Sequence, residues 1–141
     1  MRDERGSATV FMIGFALVLF LCAGLVIDGG LAINKRMRVA DDAEQTARIG
    51  ADSIDVNLFR KTETIVIDQT LARRRMTEYA TSLGYTADDW EPTWPDGPNG
   101  GVRVEIQRPS KTYILQMFGV EFNVHAEAIA VPDTGPLQQG P

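Results

Sequence analysis

Residues 6 to 27, Gly-Ser-Ala-Thr-Val-Phe-Met-Ile-Gly-Phe-Ala-Leu-Val-Leu-Phe-Leu-Cys-Ala-Gly-Leu-Val-Ile, carry no charge. A hydrocarbon core about 30 Å thick needs roughly 20 apolar residues in helical form. The run therefore suffices for one crossing, and no other stretch of the chain offers a second. It begins directly after the charged segment Met1-Arg2-Asp3-Glu4-Arg5. The first constraint is location: a small domain held at a membrane by its own N-terminus.

Three readings of that N-terminus compete. A cleaved secretory signal would have a basic start, an apolar stretch and small residues at the cut. Ala23 and Gly24 can serve as that cut, but the apolar run continues past them, and Asp3 and Glu4 half neutralise the start. A lipoprotein signal would modify Cys22, yet Phe20 and Leu21 before it are too bulky. The length of the run favours a retained helix. Its orientation is not set by charge. Arg2 and Arg5 stand on one side and Lys35, Arg36 and Arg38 on the other, and the positive-inside rule does not separate two from three.

The first 50 residues hold six acids and six bases, so the net charge of −5 comes from residues 51 to 141. An acidic balance argues against nucleic acid, whose phosphates reward clustered Lys and Arg. A segment of that length buries one modest core. No disulfide can reinforce it, because the single cysteine, Cys22, lies inside the apolar run.

Beyond the apolar run, Asp28-Gly29-Gly30 is a soft spot, since glycine inside a helix costs up to about 1 kcal/mol relative to alanine. A break is conceivable there, yet residues 31 to 50 read as helix with no proline. Ala40, Ala43, Ala47 and Ala51 fall at steps of three and four on one face. A helix continuous from 7 to 50 would be about 65 Å long. Its alanine stripe permits close approach, either to the chain's own domain or to neighbouring subunits.

In the remaining domain, Thr62 or Thr64 can cap a second helix running to about Leu83, with Gly84 as its stop. Ala72, Met76, Tyr79, Ala80 and Leu83 share one face and are expected to be buried. Arg73, Arg74 and Arg75 invite a phosphate or lipid-headgroup reading. Three adjacent helical residues point in different directions, however, which favours a solvated face with Arg74 paired to Glu78. Residues 86 to 101 hold three prolines and three glycines and are expected to form a loop. Its acids, Asp88, Asp89, Glu91 and Asp96, match no calcium-loop spacing. Trp90 and Trp94 are expected to cover the core edge, with a partner contact as the sharper alternative. Two strands follow. Val102, Val104 and Ile106 alternate with polar residues, and so do Phe122, Val124, Ala126, Ala128 and Ala130. Residues 110 to 118 read as a short helix or apolar turn. An antiparallel pairing is expected, and the tail from Pro132 is disordered by composition.

No active site is legible. His125, the single histidine, shares a strand face with Glu121 and Glu127, a pattern that the open face of a strand produces by default. Cys22 lies in the apolar run, no serine has a nucleophile motif around it, and Gly97 to Gly101 precedes a strand rather than a phosphate-binding helix. The expectation is a non-catalytic protein with no cofactor and no metal.

Glu4-Arg5-Gly6-Ser7-Ala8-Thr9-Val10-Phe11, the apolar run, Ala23-Gly24-Leu25-Val26-Ile27-Asp28-Gly29-Gly30 and the helix around Arg36-Met37-Arg38-Val39-Ala40 resemble the TadE/TadG-like proteins. These belong to the tight-adherence (Flp-type) pilus machinery, and the sequence looks actinobacterial. The likeness is densest over residues 4 to 53. It is weaker over 113 to 131, where Phe118-Gly119-Val120 and then Val124-His125-Ala126-Glu127-Ala128-Ile129-Ala130 resemble the closing strand. It implies an α+β fold in which a long N-terminal transmembrane helix continues into a small pilin-like domain with a second helix and an antiparallel sheet. The implied parts are a cytoplasmic leader-like segment (1–6), a transmembrane helix (7–27), a juxtamembrane helix (28–53), an extracytoplasmic domain (54–131) and the tail (132–141). The implied function is a single-pass, pseudopilin-like component of a Flp/Tad-type pilus or secretion assembly. It would contact other subunits as a homo- or hetero-oligomer. In the prepilin-like branch a peptidase cuts after a glycine, here Gly6, leaving Ser7 as the new N-terminus. That branch carries a glutamate at the fifth mature position, where this chain has Phe11. The TadG-like branch commonly lacks the glutamate and is the better match, as an anchored or minor component. Residues implied in helix packing are Phe11, Gly14, Asp28, Gly29, Gly30, Ala40, Ala43 and Ala47. The alternative is an independent anchored binding domain at the cell surface that uses the loop carrying Trp90 and Trp94.

Overall fold

The computed structural model describes residues 4–110 and 122–133. Helix α1 runs from Glu4 to Ala51, 48 residues without a break. The soft spot at Asp28-Gly29-Gly30 stays helical. In apolar surroundings an unmatched peptide group costs several kcal/mol, which outweighs about 1 kcal/mol of propensity per glycine.

The chain divides into two compact units, Met1–Lys35 with Pro109–Asn123, and Arg36–Arg108 with Val124–Pro141. In the first, Lys35 Nζ donates to the carbonyl of Pro109. The second unit is an α+β layer pair. After α1, helix α2 (Val56–Thr62) is capped by Asp55, whose carboxylate accepts from the backbone of Asn57 and Leu58. It ends at Glu63 in the left-handed region (φ 55°). An antiparallel bridge, Ile54 to Ile67, closes the excursion. Helix α3 (Gln69–Ser82) is capped by Asp68, which accepts from Thr70 and Leu71, both at 3.0 Å.

The second helix therefore begins later than expected, at an aspartate rather than at Thr62 or Thr64. The intervening turn of helix was missed because Asp55 and Asp68 each start a separate element. Its far end agrees with expectation: Gly84 takes φ +81°, a conformation glycine adopts without strain. On the expected buried face Ala72, Met76 and Ala80 are fully enclosed, Tyr79 is half-buried and Leu83 is exposed. Arg74 makes no ion pair with Glu78.

Three strands, β1 (Trp90–Thr93), β2 (Val102–Ser110) and β3 (Phe122–Ala130), form an antiparallel sheet in that order. Residues 86 to 101 are therefore not wholly irregular. They hold β1 and a 3-10 turn at Gly97–Asn99. Pro92 is tolerated because β1 is an edge strand, where its missing N–H interrupts no ladder. The register sets Trp90 against Ile106 and Pro92 against Val104 on the inner face, and Glu91 against Glu105 on the outer face. Val39, Ala43 and Ala47 of α1 meet Ala72, Met76 and Ala80 of α3, and both helices pack on the inner side of the sheet at Val102, Val104, Ile106 and Val124. The short helix or turn expected beyond Ser110, together with Glu121 and most of the tail, lies outside the described residues.

Candidate functional site

The first part of α1 is apolar all round, a pattern suited to a core or a membrane. Its side chains are not in a core: Phe11 is 73% exposed and Val26 74%. Phe11 stacks on Phe15 of its own helix, centroids 6.3 Å apart. α1 is one helix long and apolar enough to cross a membrane, which with its N-terminal position fits a membrane-anchored protein. An added Cβ at Gly14, Gly29 or Gly30 would meet nothing within 4 Å, so no packing among the described residues requires glycine there.

One strip of this segment is covered: Gly24 and Asp28 are buried, and Leu21, Ala32 and Lys35 half-buried. Steps of three and four put these residues on one helix face. Asp28 thus faces inward, away from the open surface that carries Phe11. Gly24, Ala32 and Lys35 were not grouped with Asp28 as one covered face from the sequence. Their common spacing was the available signal, obscured by the uniform apolarity around them. Gly6 and Ser7 lie in the first turns of α1.

The alanine stripe has a different occupant. Ala43 and Ala47 are fully buried in their own domain, whereas Ala40 is exposed and off the stripe. Small side chains here let α1 approach α3 and the sheet closely. An added Cβ at neighbouring Gly50 would come within 2.6 Å of Met76 Sδ. The Tyr85 hydroxyl donates to Asp42 of α1 at 2.7 Å, and the Arg108 guanidinium lies 4.5 Å from its ring centre. Burial, then the hydrogen bond to the Asp42 carboxylate and its negative charge, push the Tyr85 hydroxyl up to about 12.

Trp90 and Trp94 are half-buried and pack against the core, the core-edge placement read from the sequence. Arg73 stands over the Trp94 ring at 5.5 Å. Between them opens a groove of about 470 Å³ lined by Gln69, Thr70, Arg73, Arg74 and Trp94. In the connection before β1, Asp89 accepts from the backbone and hydroxyl of Thr86, which holds its carboxyl below the usual carboxylate range. On the outer sheet face His125 and Glu127 are exposed, and Glu127 pairs with Arg103 at 2.9 Å. Among the described residues no three His, Cys, Asp or Glu side chains gather to hold a metal.

Residues 6–53 match the family model described as Flp pilus-assembly TadE/G-like. Neither the curated proteins nor the solved structures yield a match. The matched stretch coincides with the densest part of the likeness read from the sequence and bears it out. It covers almost all of α1, including both the open apolar surface and the buried alanine stripe.

Proposed function

Because residues 6–53 are TadE/G-like, we propose that the chain is a membrane-anchored, non-catalytic component of a Flp/Tad-type pilus or related secretion assembly. The family match supports the pilus-associated role. The finer reading is a minor, TadG-like component that acts by helix and domain packing, with its N-terminus cytoplasmic and its α+β domain extracytoplasmic. Phe11, in place of the glutamate of polymerising pilins, favours this branch. Processing after Gly6, leaving Ser7, belongs to the prepilin-like branch, from which Phe11 departs.

One observation carries the reading. Along a single helix, the Ala43 and Ala47 face is occupied by the chain's own core, whereas Phe11, Gly14 and Gly30 are exposed and half-buried Gly29 has open space where a Cβ would stand. Lipid alone would satisfy the apolar side chains. Glycines with open space beside them additionally allow a neighbouring helix to approach closely. The competing reading, a surface binding domain working through Trp90 and Trp94, has less support because both rings pack against the core.

Photo-crosslinkers placed along α1 and, separately, at Trp90 and Trp94 test the choice in native membranes. Capture of pilus-assembly subunits from α1 positions is the expected result. Capture confined to the Trp positions would replace the assembly reading with the surface-binder one.

A further inference from the structure

The groove between α3 and Trp94 is lined by residues carrying an amide (Gln69), a hydroxyl (Thr70), two guanidinium groups (Arg73 and Arg74) and an indole ring (Trp94), with no carboxylate among them. Of the acids nearest the groove, Asp68 already accepts the two capping N–H groups, and Glu78, one turn beyond Arg74 on α3, makes no ion pair with it. Among the described residues neither Arg73 nor Arg74 has an ion-pair partner, and Trp94 Nε1 is enclosed with no acceptor. Across the domain the imbalance reverses. Glu91 and Glu105 stand directly opposite each other on the outer face of the sheet, again with no ion-pair partner among the described residues. Like charges at such a cross-strand pair repel.

These two deficits cannot cancel within one molecule. α3 packs on the inner side of the sheet, whereas Glu91 and Glu105 alternate onto the outer side. We infer that the arginine groove of one copy receives the Glu91 and Glu105 face of a second copy. Guanidinium groups would form charge-assisted bonds to the two carboxylates. The patches differ, so the contact is heterologous: each subunit keeps one groove and one acidic face unused, and association propagates unless a ring closes it. This inference rests on the assembly reading above and assigns it a specific subunit contact, separate from α1.

The test uses the full chain in membranes, with Cys22→Ser removing the native thiol. Thr70→Cys in the groove and Thr93→Cys on the outer face are introduced together, leaving all four charges in place, and a short bismaleimide is added. The expected product is a ladder of dimers, trimers and larger species that fades with added salt. In the same background Arg73→Glu with Arg74→Glu lowers the ladder about tenfold, and adding Glu91→Arg with Glu105→Arg restores it. An Ile33→Cys chain reports contact through α1. Ile33 dimers without the 70–93 ladder would overturn this contact and leave the assembly reading standing. Absence of both products would remove both, and a ladder indifferent to charge reversal would overturn the electrostatic match.

Discussion

Tyr85 and Asp42 lie 43 positions apart, and their hydrogen bond ties α1 to the turn after α3. A hydrogen bond to a charged acceptor contributes about 1.5–3 kcal/mol, so Tyr85→Phe should lower the domain's stability by that order. The pH dependence has a definite sign. The hydroxyl's folded value lies above its ordinary 10.0, at about 12. Its stabilising contribution is therefore fully present below pH 10 and lost as the pH rises to 12. Thermal unfolding of wild type and Tyr85→Phe in detergent, followed by circular dichroism, should converge across that alkaline window. Asp68 acts locally, through two capping bonds. Asp68→Ala should cost about 1 kcal/mol in the same assay, and Asp68→Asn much less, because an amide oxygen still caps.

At the scale of elements, α1 has two differently occupied parts. In the second unit its buried face is sterically full, so Ala47→Leu should destabilise the domain by about 1–3 kcal/mol through overpacking. Ala40→Leu, two turns earlier but exposed, should leave the unfolding temperature nearly unchanged. In the apolar part, Gly14→Leu meets open space and should preserve folding while reducing cross-linking to partner helices. Much of this helix was legible in sequence because its signals are local: a charge-free run, then alanines at helical steps. The end of α3 was legible for the same reason, at Gly84. What escaped the sequence depends on distant neighbours. β1 is a strand because Trp90, Pro92 and Thr93 meet Ile106, Val104 and Arg103, pairings hidden by the proline and glycine content around it. Trp94 becomes a groove wall only through Arg73, and whether Ala43 faces a partner or its own core is settled by Met76 and the sheet, not by spacing.

For the whole molecule, one apolar helix at the N-terminus and a TadE/G-like match over residues 6–53 point to anchorage and assembly together. Anchorage alone predicts that the chain stays in the membrane pellet after alkaline extraction, and that removing residues 8–27 releases it. Assembly requires more: the sequence of the span must matter beyond its apolarity. The most direct measurement is complementation in native cells lacking this chain, with surface fibres counted by electron microscopy. One version carries the natural sequence, and another has residues 8–27 replaced by an unrelated leucine-rich span of equal length. Equal membrane levels and fibres restored only by the natural span are the predicted result. Full restoration by the leucine-rich span would show that the helix merely anchors, and would contradict its role as an assembly surface.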